Sequence, residues 1–202
     1  ATPPVVSGLD VSGTAGNNGW YRSNVDVAGL AADATSGIAL VQVNGQPNLS
    51  LSDGVHSVTV RAVDQAGNES AQTITVRVDT TPPDLTPQFS LPNGSNGWHI
   101  SAVELNASAD DATSGVESVR VRINGGSPQS LPLTLDQDGI YTVEYEVTDR
   151  AGNLTTRTET VRVDTTPPSA DVIAPAVSGN NGWYIDSPSL TVDASDNLSG
   201  VQ

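Results

Sequence analysis

Cysteine, methionine and lysine are absent from this chain of 202 residues. Without cysteine there is no disulfide framework, no thiol chemistry and no thiolate metal site. Aromatic residues make up only 4% of the chain, so any core must be built mainly from valine. No run approaches the roughly 18 consecutive apolar residues of a membrane helix, and the first residues lack the basic and apolar regions of a signal peptide. All eight basic residues are arginine, against 23 acidic residues, giving a formal net charge of −15. A polyanion repels nucleic acid and anionic membrane surfaces, so neither is an expected partner, and membrane insertion is not expected. The first residue is not methionine, and the chain reads as a piece of a longer polypeptide.

Internal repetition is what the chain does have. Asn-Asn-Gly-Trp at 17–20 returns as Ser-Asn-Gly-Trp at 95–98 and Asn-Asn-Gly-Trp at 180–183. Asp-Ala-Thr-Ser-Gly occupies 33–37 and 111–115, with a third copy, Asp-Asn-Leu-Ser-Gly, at 196–200. The Trp and the first Asp of that motif are 13 residues apart in every copy. Asp-x-Ala-Gly-Asn appears at 64–68 and 149–153, and each time the Asp of Val-Asp-Thr-Thr-Pro-Pro follows 15 residues later, at Asp79 and Asp164. Three motifs held in register define a repeat of about 80 residues, long enough to carry its own core. The expected domains are 1–79, 80–164 and an incomplete third repeat at 165–202.

Within a repeat, Gly, Pro, Asn, Ser and Thr recur too often for helix, and strand alternation is clear. Tyr141, Val143, Tyr145 and Val147 alternate with Thr142, Glu144, Glu146 and Thr148. The equivalent positions of the first repeat read His56, Val58, Val60 and Ala62 against Ser57, Thr59, Arg61 and Val63. Val25 and Val27 match Val103 and Leu105, and Val76 and Val78 match Val161 and Val163. Short alternating strands between turn signals predict an antiparallel β-sandwich of seven strands per repeat, the seventh being fitted between Asn44 and Asp64.

With these motifs assembled, the chain resembles a family of tandem bacterial immunoglobulin-like repeats. The resemblance rests on Gly19-Trp20-Tyr21, Asp33 with Ser36-Gly37, the 64–68 hairpin and the 79–83 exit, repeated at Gly97-Trp98, Asp111, Asp149 and Asp164. The second repeat departs from it at His99, where the others have Tyr21 and Tyr184. The resemblance implies an all-β chain of tandem immunoglobulin-like antiparallel β-sandwiches from a surface or secreted protein, acting as spacer or interaction module. A fold-level likeness does not fix a ligand.

Each conspicuous group has a structural role to set beside a functional one. Trp20, Trp98 and Trp183 can seal the end of a core poor in large side chains, or can stack on sugars. The Asp-x-Ala-Gly-Asn motifs suit hairpins in which Asp accepts backbone N–H bonds and Gly67 or Gly152 takes positive φ. In a seven-stranded sandwich the B–C and F–G loops share the pole where the preceding linker arrives. At the first junction this would gather Asp79, Asp110, Asp111, Asp149 and Asn153, oxygen donors of the kind calcium takes. No other cofactor is implied. Paired prolines at 82–83 and 167–168 stiffen the linkers. Six Asn-x-Ser/Thr sequons, at Asn48, Asn68, Asn93, Asn106, Asn153 and Asn197, slightly exceed the roughly three expected by chance. The two histidines lie in different repeats, no nucleophile elbow or phosphate loop occurs, and the repeats share no acid–base set, so no enzyme is expected.

The sequence therefore points to an extracellular stalk or filament-forming array on a prokaryotic cell surface, its partners being neighbouring copies or adjacent repeats of the same protein. Two alternatives are a calcium-dependent adhesive module and a carbohydrate-binding accessory region of a secreted enzyme, either of which could engage a cell-surface glycan. In the third repeat, Leu190, Val192 and Ala194 would present an apolar face, to be covered by further chain or by strands of a neighbouring molecule.

Overall fold

A computed structural model describes residues 2–201, and every regular element among them is a β-strand. The first repeat supplies β1 (Val5–Ser12), β2 (Trp20–Tyr21), β3 (Val25–Ala32), β4 (Ile38–Val43), β5 (Asn48–Leu51), β6 (Gly54–Asp64) and β7 (Glu69–Val78). The second supplies β8 (Asp84–Gln88), β9 (Trp98–His99), β10 (Val103–Asp110), β11 (Val116–Ile123), β12 (Leu133–Leu135), β13 (Gly139–Asp149) and β14 (Leu154–Val163). The third contributes β15 (Ser169–Ile173) and β16 (Thr191–Ser195).

Each of the first two repeats forms a three-stranded and a four-stranded sheet with the same connectivity. The orders are β1-β3-β5 with β2-β7-β6-β4, and β12-β10-β8 with β11-β13-β14-β9. The chain is thus all-β, in tandem immunoglobulin-like sandwiches. Two strands, β5 and β6, do lie between Asn44 and Asp64, giving the expected seven per repeat. One of the seven is the two-residue β2 or β9, which pairs parallel with the closing strand: Trp20 with Arg77 and Tyr21 with Val78, then Trp98 with Arg162 and His99 with Val163. A parallel edge of two residues leaves no periodicity to read, so only the turn before it is visible in sequence.

By backbone contacts the chain divides into two compact units. One holds Ala1–Pro87, Ala107–Val121 and Tyr145–Arg157, the other Gln88–Asn106, Arg122–Glu144 and Thr158–Gln202. In the first unit Val25, Val27, Val43, Leu51, Val58, Val60, Val76 and Val78 form one buried cluster. Alternation puts them there, since β6 buries Val58, Val60 and Ala62 while Ser57 is exposed. Branched valines fit a pleated surface and lose little side-chain freedom, so a core with few aromatics, Tyr21 packed at its edge, still closes. In the second unit Val103, Leu105, Val143, Val161 and Val163 are buried on their strands. The strands β15 and β16 pair from Ser169–Ser195 to Ile173–Thr191, with Val172 and Val192 about two-thirds exposed (67% and 68%).

Turn chemistry explains where the strands stop. Asn18-Gly19, Asn96-Gly97 and Asn181-Gly182 all have positive φ, from 52° to 80°. Such pairs suit two-residue turns, here closed by Trp20 N–H donating to the Asn17 carbonyl at 2.9 Å. In the Asp-x-Ala-Gly-Asn hairpins, the Asn68 N–H donates to Asp64 Oδ1 at 2.8 Å and the Asn153 N–H to Asp149 Oδ1 at 2.8 Å. These bonds hold the Asp64 carboxyl below the usual range, the Asn68 side-chain amide contributing most.

Two expectations follow. A methyl added at Gly29 would lie 2.7 Å from both Val41 Cγ1 and Val60 Cγ1, well inside contact distance. Gly29→Val should therefore overpack the first core and lower its unfolding free energy by about 1–3 kcal/mol, read from the urea midpoint. His99, only 2% exposed, is held below its ordinary pKa of 6.5 by loss of solvent. The unfolded chain then takes up the proton first, so this contribution to stability is complete above pH 6.5 and falls as pH drops through that value toward the folded pKa. His99→Tyr, restoring the residue of the other repeats, should flatten the dependence of the urea midpoint on pH just below 6.5.

Candidate functional site

The strongest concentration of chemistry sits within the first compact unit, where the linker leaving β7 meets the turns of the second repeat. Asp79, Asp111 and Asp149 each offer a carboxylate oxygen, and these atoms all lie within 4.8 Å of one another. Asp79 and Asp149 are fully buried, and Asp111 is half-buried. Asp111 opens the turn after β10, and its Oδ1 accepts the N–H groups of Thr113, Ser114 and Gly115 at 3.2, 2.9 and 2.7 Å. Asp79 Oδ1 accepts the Thr81 N–H at 3.1 Å, while its Oδ2 accepts the Ser114 N–H at 3.1 Å. Asn153 spans the cluster, its side-chain amide donating to Asp149 Oδ2 at 2.8 Å and to the Asp79 carbonyl at 3.0 Å.

Of the sequence candidates, the fold gathers Asp79, Asp111, Asp149 and Asn153 and leaves Asp110 aside. Asp110 closes β10 and is exposed, lining a shallow recess with Asp84, Thr86 and Ser108. Adjacent residues at a strand end turn to opposite sides, so Asp110 and Asp111 cannot both face the junction.

The bonds to the cluster come from N–H groups and a hydroxyl, which satisfy oxygens but carry no full positive charge. Arg150, in the same hairpin, has an exposed side chain that stands 4.0 Å from Glu117, and Arg61 pairs with Glu69 away from the cluster. Like charges brought this close repel, and burial strengthens the repulsion. Oxygen donors in such a group suit a hard divalent cation such as calcium, with Asp79, Asp111 and Asp149 as the side chains able to hold it.

Three further elements make contacts here that their sequence motifs did not specify. The first is the Asn-Gly-Trp turn, which clasps the second hairpin. The Asn17 N–H donates to the Ala151 carbonyl at 2.8 Å, the Asn18 side-chain amide to the Arg150 carbonyl at 2.9 Å, and Arg22 Nη1 to the Gly152 carbonyl at 3.2 Å. The second is the Ser of the Ser-Gly turn: besides its N–H bond to Asp79, Ser114 Oγ accepts the Ala151 N–H at 3.2 Å. The third is a latch on the linker. Asp53 accepts the Thr80 N–H at 2.8 Å and the Thr81 hydroxyl at 2.7 Å. Asp138 accepts the Thr165 N–H at 2.6 Å and the Thr166 hydroxyl at 2.5 Å. A signal for the latch was present: both aspartates precede a glycine and stand 26 residues before Asp79 or Asp164.

The tryptophans divide by repeat. Trp20 and Trp98 are half-buried on β2 and β9, whereas Trp183 is 74% exposed. Among the described residues no helix is long and apolar enough to cross a membrane.

Comparison with known proteins bears on the repeats. Residues 22–80 and residues 96–165 each match a family model described as a bacterial Ig-like domain. Together the matches support placing the chain among bacterial immunoglobulin-like repeat proteins. The chain is 33% identical over 171 residues to Hyalin of Strongylocentrotus purpuratus, a match covering 79% of this chain and 13% of that protein. Among solved structures, it is similar to fibronectin(III)-like modules of Clostridium thermocellum CbhA, with TM-score 0.38 and 13% identity over 79% of this chain and 93% of the other. A tetra-tandem repeat in the extending region of a large adhesion protein gives TM-score 0.34 and 17% identity, over 98% of this chain and 66% of the other.

The clasp is testable by a single methyl group. A Cβ at Gly16 would run into the Ala151 carbonyl oxygen and Arg22 Cγ. Gly16→Ala should speed amide exchange at Asn17 and Ala151 roughly five- to tenfold, as expected for losing a bond worth about 1–1.5 kcal/mol, while β6 stays protected.

Proposed function

From a chain carrying bacterial Ig-like domains in tandem, we propose an extracellular structural role: a stalk or filament-forming array on a prokaryotic cell surface, its junctions stiffened by linker latches and, at the first junction, by bound calcium. The observation that carries this reading is that one junction chemistry is built twice. Asp79 Oδ2 accepts the N–H of Ser114 at 3.1 Å, and Asp164 Oδ2 accepts that of Ser199 at 2.9 Å, each pair 35 residues apart. Asp53 and Asp138 latch the threonines that follow each of these aspartates. Repeating a junction serves spacing, since each module then meets the next in the same way. An enzyme has no need to repeat its links, and bacterial Ig-like domains are non-catalytic modules.

Calcium would join three carboxylates contributed by the linker, the Ser-Gly turn and the hairpin, tying covalently distant segments into one node. The acidic, lysine-free surface limits clumping between stalks, because like-charged molecules repel. Neighbouring copies or adjacent repeats are the partners this role requires, and the surface location follows from it.

Small-angle scattering on the chain with calcium and with chelator tests both parts. An extended particle is expected in each condition, with a narrower distribution of maximum dimensions when calcium is present. Asp79→Asn and Asp111→Asn should abolish the calcium response. A compact particle would count against the stalk, and profiles unchanged by chelation would remove calcium from it.

A further inference from the structure

We propose that the open edge of β4 is a strand-pairing site for the β4 of a second copy of this chain, the two running antiparallel about a two-fold axis. The proposal rests on the reading that neighbouring copies are partners, and it names the edge through which they meet. An open sheet edge offers N–H and carbonyl groups to any passing strand, and proteins guard such edges with charge, proline or short length. The end strands β1, β8 and β11 are guarded in this way, by Asp10, by Asp84 with Pro87, and by Glu117, Arg120 and Arg122. The end strands β2, β5, β9 and β12 are four residues or shorter, and β15 and β16 carry Asp171 and Asp193. β4 is the exception. It ends its sheet, runs for six residues, and is the one described strand of five residues or more without an acidic or basic side chain.

Electrostatics favours this edge over the others. Two chains of net charge −15 repel, and they approach at least cost where the contact itself carries no charge. On the neighbouring β6, Arg61 stands opposite Gln42 and is paired with Glu69, while Asp64 stands opposite Ile38 and is buried. Hydrogen bonding shows which groups the edge offers. The Asn44 N–H donates to the Thr59 carbonyl of β6 at 2.9 Å, so the groups of Val43 turn to the open side. There Gln46 takes both, its carbonyl accepting at 2.7 Å and its N–H donating at 2.9 Å. Val41, two residues earlier, turns its N–H and carbonyl the same way.

The site is short. Gln46 closes it at Val43, and the register shift between Ile38 and Leu40 ends regular strand geometry at the other side. With Val41 opposite Val41 of the second copy, the two residues exchange N–H to carbonyl bonds, and Leu40 of each copy lies beside Gln42 of the other. Leu40 is 40% exposed on the outer face, and Val41 packs toward the core, so neither face must be remade. Counting back from the Asn-Gly turns at 44–45 and 124–125, Arg120 and Arg122 stand where the first repeat has Leu40 and Gln42. Two β11 strands in the same arrangement would set arginine against arginine. Pairing is therefore confined to the first repeat.

The test follows the full chain, in chelator so that the Asp79 cluster takes no part, by sedimentation equilibrium and by amide shifts up to millimolar concentration. A weak dimer is expected, with concentration-dependent shifts centred on 39–43. Added salt should strengthen it, because salt screens the net repulsion and leaves main-chain bonds in place. Leu40→Arg with Gln42→Arg copies the guard of β11 and should weaken self-association at least about tenfold, like charges then standing opposite one another. Mixing that variant with one carrying Leu40→Glu and Gln42→Glu should restore dimers, now of unlike copies. Both variants should keep the β6 and β7 amide pattern, since the second repeat folds with arginines at these positions. A monomer at every concentration, shifts centred on β1 or β11, weakening by salt, or undiminished association of the double-arginine variant would overturn the proposal. So would folded variants that fail to pair on mixing. A monomer here leaves the scattering test of an extended, calcium-stiffened stalk as it stands, so the two readings fail separately.

Discussion

Backbone N–H groups that leave a strand must find an acceptor, and in this chain aspartate carboxylates answer that need at turn after turn. Asp33, Asp111 and Asp196 each gather N–H groups of the Ser-Gly turn, with bonds of 2.8, 2.7 and 2.6 Å to Gly37, Gly115 and Gly200. Asp64 and Asp149 do the same for the hairpins. A short carboxylate can satisfy several donors at once, and a bond to a charged acceptor is stronger than one between neutral groups. Strand ends are thereby fixed without disulfides. The excess of aspartate over glutamate, 17 against 6, has its cause in this geometry.

The same device carries an electrostatic cost where turns converge. Asp79 ends a strand, Asp111 opens a turn and Asp149 anchors a hairpin, and each placement is local good sense. Brought to one junction, they concentrate charge in a buried place, which a chain of net charge −15 has little means to neutralise from within. Arg22 and Asn18 spend their donors on hairpin carbonyls and leave the carboxylates to N–H groups. A cation bound at this junction would answer a concentration of charge built from elements that each exist for another reason.

Legibility in the sequence followed the range of the interaction. The buried face of β13 could be read directly, because period-two alternation is a local consequence of pleating and Val143, Tyr145 and Val147 obey it. Turns could be read as turns, since Asn-Gly and Asp-x-Ala-Gly-Asn specify their own backbone angles. The approach of Asp79, Asp111 and Asp149 followed from which loops share a pole of a sandwich. Alternation sends the side chains of Asp110 and Asp111 to opposite faces, but the loop argument did not say which of the two faces the junction. The clasp at 16–22 was not legible, because its partners lie about 130 residues away and are main-chain carbonyls, which leave no mark on composition. Likewise β2, only two residues long, is defined by its neighbour β7 rather than by its own pattern.

The asparagine amides have a consequence in time. Asn18 donates through its side chain to a carbonyl of the next repeat, and its successor is glycine, the neighbour that least hinders attack of the backbone nitrogen on the amide carbon. Loss of ammonia there would turn a donor into a carboxylate facing a carbonyl oxygen, replacing attraction by repulsion. The left-handed backbone at Asn18 and the bond its amide already makes both keep that carbon away from attack. A seated junction therefore shields the residue whose decay would unseat it, and slow chemical ageing begins where the clasp has first come apart.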